Sequence, residues 1–428
     1  MNRIRFILKE LQRCFGTALL PIVAFLGYIS LRSSTVLEDG LHEFNGAYHP
    51  AYFGWYDVVL AYAIIFSFTT GALKLELKDL IFGVVGLFII SASWINTYEA
   101  DRMFIWSGLI CFFRFYLVFI FAKSLVRKLG YLTAEKVLLL VYGLLMLSAI
   151  FWYSMQFGEQ NRMAASAMTS ASFGQVSAVM CLLFYARKRY FGLFLSFLFL
   201  LLSFSRTSLL VFLVLIVIQN RRLIPLNLIK YVVALALLGM LSIAVFQHYG
   251  GVESQVVLES RFSMKEISNL NGRSDLWSYA IEMIRRHEIP FAGVGFHMTP
   301  SLIAENNIKF LRSYDIGHYV PPHYHNILIE YTLSLGIFAW AIFFAIVKRI
   351  WQAFQRNCDQ AFFIYAFFFL SQIMDYTIFP PKEIIIFALM LGMAEGQLLN
   401  DGLKSRQPDK QTEAQAAITQ AEKVGTVV

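Results

Sequence analysis

The sequence predicts an all-α polytopic membrane protein with about twelve transmembrane helices and one large extramembrane loop. Of its 428 residues, 58% are hydrophobic and 15% are charged, whereas a soluble domain carries roughly 45–50% apolar and about 25% charged residues. Basic residues fall in short clusters between the apolar runs, as in the cytoplasmic loops of membrane proteins. The net charge of +8 therefore indicates membrane topology and gives no sign of a nucleic-acid partner.

Apolar runs of spanning length recur along the whole chain, since a span needs roughly 20 apolar residues. They lie near residues 14–32, 55–73, 79–96, 103–122, 137–155, 169–186, 228–247, 326–347, 359–379 and 383–400. A further run, 191–219, is broken by polar residues at 203–208. It is either one tilted span or two short helices that meet at Arg206.

The basic clusters favour two helices in this interrupted run. With two helices, every cluster falls on one side of the membrane, whereas a single span would invert everything that follows. The clusters are Lys74/Lys78, Lys123/Arg127/Lys128, Arg187/Lys188/Arg189, Arg221/Arg222 and Lys348/Arg349. We therefore predict twelve helices with both termini in the cytoplasm.

This topology divides the chain into four parts. Residues 1–247 hold helices one to nine, 248–325 form a periplasmic loop with short helices, and 326–400 hold helices ten to twelve. Residues 401–428 are predicted to be a polar, disordered cytoplasmic tail. The first apolar run is too long for a signal peptide and lacks a clear cleavage site, so it is interpreted as a retained helix.

The four cysteines are scattered along the chain. They form no C-x-x-C pair and have no histidine partners at metal-ligand spacing. The sequence therefore predicts neither a disulfide framework nor a zinc site.

Arg206 is the clearest single candidate for a functional residue. It interrupts an apolar run, and an arginine at membrane depth costs several kcal/mol unless it faces a cavity or a partner. The alternative is an arginine that reaches to the lipid head groups from a helix end. The small polar residues at 203–208 favour a binding pocket.

Two further arginines are candidates on the same predicted face. Arg273 lies at the start of a predicted amphipathic helix, 274–287, and is followed closely by Trp277. On spacing alone, a solvated helix start with Asp275 as ion partner is favoured over a binding role. Arg162 is either a third anion contact or a head-group contact, and the sequence favours neither.

Two histidines end the long loop. His325 lies at the mouth of a predicted membrane helix, where free N–H groups and the positive end of the helix dipole disfavour a protonated imidazole. A neutral imidazole can accept a proton from an attacking hydroxyl. A capping or interfacial histidine is the alternative, and His323 competes for the same role.

Gly293-Val294-Gly295 is a weak motif. Met298 occupies the position where a dinucleotide-binding fingerprint requires its third glycine. A tight turn is therefore favoured over a phosphate cradle.

Together these motifs resemble the O-antigen ligase and polymerase family of bacterial envelope proteins. In chain order they are Ser205-Arg206-Thr207, Gly272-Arg273 with Leu276-Trp277, Gly293-Val294-Gly295, and His325-Asn326. The family element H-[NSQ]-x9-G-x-x-[GTY] aligns with His325, Asn326 and Gly336, and Ala339 departs from its last position. The resemblance covers roughly residues 160–400.

The resemblance implies a GT-C-like glycosyltransferase in the bacterial inner membrane. Its donor would be a glycan on undecaprenyl diphosphate, transferred in one piece to a sugar hydroxyl on the periplasmic face, alongside other polysaccharide-assembly proteins. The displacement would be inverting and would need no metal or cofactor. Arg206 and Arg273, with Arg162, would hold the diphosphate, His325 would be the general base, and His323 would be accessory.

The acceptor is either a growing glycan or lipid A-core. The loop 248–325 holds seven Lys/Arg and eight Asp/Glu, so its net charge is −1. A phosphorylated lipid A-core acceptor would favour a basic surface, and the loop charge therefore inclines the prediction towards a repeat-unit polymerase over an O-antigen ligase.

A transporter or flippase for the same lipid-linked glycan is the alternative from another class. Such a protein would carry charges along several helices and often has repeated halves. Here the charges gather at one predicted face and no repeat is visible, which disfavours transport.

Overall fold

A computed structural model describes residues 55–69, 73–94, 102–155, 170–220, 273–286, 291–296, 298, 324–374 and 381–404. The predicted spans 14–32 and 228–247 lie outside these ranges, as do most of the predicted loop and the tail. The described part of the chain is helical and contains no strand.

The helices of the described ranges follow the predicted apolar runs closely. In chain order they are α1 (Trp55–Thr69), α2 (Leu77–Ser93), α3 (Arg102–Leu129), α4 (Tyr131–Met155), α5 (Ser170–Ala186), α6 (Tyr190–Leu202), α7 (Arg206–Gln219), α8 (Arg273–Arg285), α9 (Ile327–Leu335), α10 (Phe338–Gln355), α11 (Asp359–Met374) and α12 (Pro381–Lys404). Helix α8 confirms the amphipathic helix predicted within the loop.

One predicted span requires correction. The run 326–347, predicted as the tenth membrane helix, is divided into α9 and α10 by a break at Gly336 and Ile337. Its physical cause is a close backbone contact between Gly336 and Gly293.

Three of the described helices are both long enough and apolar enough to cross a membrane. The qualifying segments are Gly108–Leu129, Tyr131–Phe151 and Ile384–Asp401, in α3, α4 and α12. Helices α5, α6, α7 and α11 are apolar but shorter. The 13 and 14 residues of α6 and α7 give about 20 Å each, which is less than the roughly 30 Å of a bilayer core.

Helices α5, α6 and α7 form an antiparallel three-helix unit. The Tyr185 hydroxyl donates to Asn220 Oδ1 at 2.7 Å, which joins the C-terminal ends of α5 and α7. Gly174, near the start of α5, packs against Ser203 and Ser205 between α6 and α7. The chain therefore reverses at this turn, which confirms the prediction of two helices in the interrupted apolar run.

Contacts of α3 gather several basic residues at one end of the bundle. Lys123 forms ion pairs with Asp79 and with Glu76, the latter at 3.4 Å. Ser124 Oγ donates to the Lys74 carbonyl at 3.0 Å. Asn400 of α12 donates to the Val126 carbonyl at 3.2 Å. The start of α2 and the ends of α3 and α12 therefore meet here, and we call this the basic end.

The later basic clusters lie at the same end. Glu135, in the first turns of α4, pairs with Arg187 and Arg189 at 3.3 Å each. Arg349 of α10 donates to Glu395 of α12 at 2.5 Å. The described basic clusters therefore share one end of the bundle, as predicted, while Arg221 and Arg222 lie outside the described residues.

The core lies between the central helices, and apolar side chains also cover the outside. Phe121, Phe173 and Phe363 are essentially fully buried. By contrast, Phe88 of α2 and Phe344 of α10 are 66% and 74% exposed. An apolar surface around an apolar core is what a membrane bundle requires, because lipid tails are the surrounding solvent.

Candidate active site opposite the basic end

The Arg206 turn lies at the end of the bundle opposite the basic end. Arg206 is half-buried and is the first residue of α7. Before it, Phe204 adopts a left-handed backbone with φ of 51°, and the Ser205 and Ser208 hydroxyls lie 2.6 Å apart. The positive end of the α7 dipole at this N-terminus adds to the arginine charge. The turn can therefore hold an anion.

The Arg206 turn rests directly on α5. A Cβ at Gly174 would stand 2.5 Å from Ser205 Cβ, so a glycine is needed for this close approach. The neighbouring Gln175 accepts a hydrogen bond at 2.8 Å from Gln372 Nε2 of α11, and both amides are fully buried. This buried polar pair therefore joins α5 to α11 next to the contact between Gly174 and the Arg206 turn.

His325 lies in a short segment whose backbone is held by two side chains. The Trp277 indole donates to the Tyr324 carbonyl at 2.7 Å, and the Tyr324 N–H donates to Glu330 Oε2 at 3.1 Å. The Tyr324 side chain is itself buried. Both backbone groups of Tyr324, the residue before His325, are therefore held, the carbonyl by α8 and the N–H by α9.

The backbone of His325 is in the left-handed region, with φ of 55°. Such a conformation costs on the order of 1–3 kcal/mol for a non-glycine residue and persists where the surroundings enforce it. Asn326 caps α9, because its Oδ1 accepts from Leu328 N at 2.9 Å and Ile329 N at 3.2 Å. Asn326 is thus the capping residue, and His325 lies just outside the helix.

The Glu330 carboxylate lies in the first turn of α9, where the helix dipole favours a negative charge, and it is 2% exposed. Replacing Glu330 with alanine should lower the rate of the glycan transfer expected from the motifs about tenfold, because a buried donor that loses its acceptor costs roughly 1–3 kcal/mol. Glutamine keeps an acceptor for the Tyr324 N–H and should preserve most of the rate. Initial rates of glycan transfer measure both effects.

Glu282 provides the matched control for this change. It lies on α8, is partly exposed, and pairs with Arg285 and Arg286. The hydrogen bond from Arg286 holds the pKa of the Glu282 carboxyl below its usual range. Exposed pairs of this kind contribute little, so Glu282→Ala should transfer normally. Equal rates for Glu330→Ala and Glu282→Ala would contradict the holding role of Glu330.

The glycine motif of the loop packs against the end of α9. Val294 N donates to the Leu333 carbonyl at 2.8 Å, and Ile337 N donates to the Phe291 carbonyl at 3.1 Å. Gly293 and Gly336 both have positive φ, 85° and 56°. A Cβ on Gly336 would stand 2.6 Å from the Gly293 nitrogen. The motif is therefore a tight turn, as predicted, and this close contact breaks the predicted span at Gly336.

The loop segment that contains Phe296 is also hydrogen-bonded to the end of α2. Trp94 Nε1 donates to the Phe296 carbonyl at 2.9 Å, and Phe296 N donates to Ser93 Oγ at 3.0 Å. Because α2 starts at the basic end, its C-terminus and the attached loop lie at the opposite end. Helix α10 likewise runs from Gly336 to the basic end, so α9 and His325 are at the site end with Arg206.

The remaining predicted site residues are described only in part. Arg273 is the first residue of α8, one turn before Trp277, so their backbones are about 6 Å apart along the helix. This places the start of α8 close to the His325 segment. Arg162 and His323 lie outside the described residues. In the described ranges, no group of three or more His, Cys, Asp or Glu has the arrangement of a metal site.

Sequence reasoning missed several polar residues inside apolar segments. Glu330, Gln175 and Gln372 are buried among apolar neighbours, and each interrupts a run that is otherwise hydrophobic. Arg114, within the segment Gly108–Leu129, is 5% exposed. Arg206 was identified as a charged residue within an apolar run. The same criterion would have identified Arg114.

The chain matches one known family over part of its length. Residues 191–344 match the family model described as O-antigen ligase, a range that contains Arg206, Arg273 and His325. No curated protein matches the chain. Over residues 191–344 the chain is therefore similar to the O-antigen ligase family, which supports the resemblance inferred from the motifs.

Proposed function

We propose that this chain is an integral-membrane glycosyltransferase that moves a glycan from undecaprenyl diphosphate to a sugar hydroxyl. The observation that carries the proposal is the occurrence of Arg206 and His325 at one end of the bundle, within the family domain. Arg206 begins a helix there, and the backbone of Tyr324, directly before His325, is held by Trp277 and Glu330. An anion site and a proton acceptor are the two groups that the reaction needs.

The arginines serve the leaving group. As the glycosidic bond breaks, negative charge builds up on the diphosphate, and guanidinium groups bind phosphate oxygens in bidentate fashion. Donors placed where charge develops stabilise the transition state more than the ground state. In this proposal Arg206 and Arg273, with Arg162, supply that charge without a metal or cofactor.

His325 serves the acceptor. Its imidazole accepts the proton of the attacking sugar hydroxyl, which then displaces the diphosphate from the opposite face of the anomeric carbon with inversion. His323 shapes the acceptor site. Because Tyr324 is fixed on both sides, His325 keeps its position while the substrates exchange.

The positive-inside rule gives the orientation of this site. The basic end then faces the cytoplasm, and the Arg206 turn and the loop 248–325 face the periplasm of the inner membrane. A thiol-labelling experiment in intact cells tests this orientation, in variants whose four native cysteines are replaced by alanine. A membrane-impermeant reagent should label Leu270→Cys and should not label Lys188→Cys. The reverse labelling would contradict the orientation.

Reconstitution tests the activity itself. The purified full-length chain in proteoliposomes should convert a synthetic undecaprenyl-diphosphate-linked oligosaccharide into longer glycan and release undecaprenyl diphosphate. If the donor is stable in the presence of protein and every offered acceptor, the proposed activity is wrong.

The acceptor distinguishes a repeat-unit polymerase from an O-antigen ligase. The net charge of −1 on the loop 248–325 supports a repeat-unit polymerase of O antigen or exopolysaccharide, since a phosphorylated lipid A-core acceptor would favour a basic surface. A ladder of repeat units made from donor alone would support the polymerase. Transfer that occurs only after lipid A-core is added would identify an O-antigen ligase.

A further inference from the structure

A groove of about 480 Å³ opens beside the start of α6, far from the proposed active site. Its walls are almost entirely apolar, with Met146 of α4, Phe184 of α5 and Leu195 of α6 among them. Its volume lies within the roughly 300–1,000 Å³ typical of ligand sites. The groove follows α6 from Arg189 to Ser196, about 10 Å along the helix.

The groove is positively charged at one end only. Arg189 precedes α6 at the basic end and its side chain is 50% exposed. It shares the single Glu135 carboxylate with Arg187, so two guanidinium groups face one acid. This end of the groove therefore carries excess positive charge and can take an anion.

Aromatic residues place the charged end at the depth of lipid head groups. Tyr190 and Phe191 line the groove and are 70% and 80% exposed. Amphipathic aromatic rings are enriched at the membrane–water interface, and basic residues at the cytoplasmic side of a span contact acidic head groups. The apolar walls then lie beside the acyl chains of the same leaflet.

We propose that this groove binds an anionic phospholipid, with one acyl chain along α6 and the head-group phosphate on Arg189. The apolar walls match a chain, and the guanidinium fork matches a phosphate. The bound lipid would brace α4 against α5 and α6. Because α6 leads directly into the Arg206 turn, this lipid would also stabilise the helical unit that presents Arg206.

Native mass spectrometry of the full-length protein tests the proposal. The protein is transferred from micelles containing equal amounts of phosphatidylglycerol and phosphatidylcholine, and retained lipids are counted. Phosphatidylglycerol should be retained preferentially. Arg189→Gln should weaken its retention about fivefold, since one basic residue near the membrane surface contributes roughly 1 kcal/mol. Arg187 remains in this variant to pair with Glu135.

Lys188→Gln is the matched control, because it removes the same charge from the same loop but does not line the groove. It should retain phosphatidylglycerol like the unmodified chain. A second variant, Leu195→Trp, fills the groove and should reduce retention while Arg189 is intact. Equal losses for Arg189→Gln and Lys188→Gln would overturn the site, leaving only general surface attraction. So would equal retention of both lipids, or displacement of the lipid by millimolar inorganic phosphate alone.

Discussion

Replacement of His325 with alanine is expected to abolish glycan transfer while the lipid-linked donor accumulates. The attacking hydroxyl would lose its proton acceptor, and positioned general bases typically contribute about 10²–10⁴-fold to a rate. Donor binding should survive, because the arginines that hold the diphosphate are unchanged. Rates in proteoliposomes and the donor level in cells measure the two parts of this result.

His323→Ala is the natural control for that variant. His323 is predicted to be accessory, so its loss should leave measurable transfer. If His325→Ala made product at a comparable rate, catalysis would have to rest on charge and positioning alone.

Arg206 variants are expected to lose transfer whether or not the positive charge is kept. Arg206→Ala removes the charge, and Arg206→Lys keeps it but loses the planar fork that binds two phosphate oxygens. Removing a single transition-state donor typically costs about 10²–10³-fold in rate. Lysine should therefore rescue poorly. Single-turnover rates at saturating donor measure the effect on the chemical step, apart from donor binding.

The Arg206/Arg273 double variant extends this test. Two arginines that hold one diphosphate should show strongly non-additive losses, because either loss already misplaces the leaving group. Lys188→Gln, at the basic end, is a matched loss of one positive charge and should leave the chemical step unchanged. Near-normal transfer by Arg206→Lys would show that bidentate binding is not used.

The reversal at Arg206 could be predicted because two independent signals agreed. Polar residues interrupted the apolar run, and the basic clusters required an extra crossing. Helix α8 could also be predicted from the sequence, because its polar and apolar residues recur with helical spacing. The common position of the basic clusters followed from the same rule and is observed at the basic end.

The break at Gly336 could not be predicted in this way. A single glycine in an apolar run is tolerated in membrane helices, so the run 326–347 read as one span. The break arises because the backbone of Phe291 and Gly293 packs against Gly336, a contact between segments some 40 residues apart. Likewise, the role of Glu330 depends on its contact with the Tyr324 backbone. The spacing of apolar residues in the sequence does not predict this contact.

The hydrogen bonds between Phe296 and the side chains of Ser93 and Trp94 bear on how this protein can be recombined with proteins that match the same family model. The matched family domain begins at residue 191, yet part of its loop is anchored on α2, about a hundred residues earlier in the chain. A chimera that exchanged only residues 191–344 would separate the loop from this anchor and disturb the register of the Gly293 turn on α9. A functional exchange of residues 191–344 should therefore require that the end of α2 is exchanged together with them.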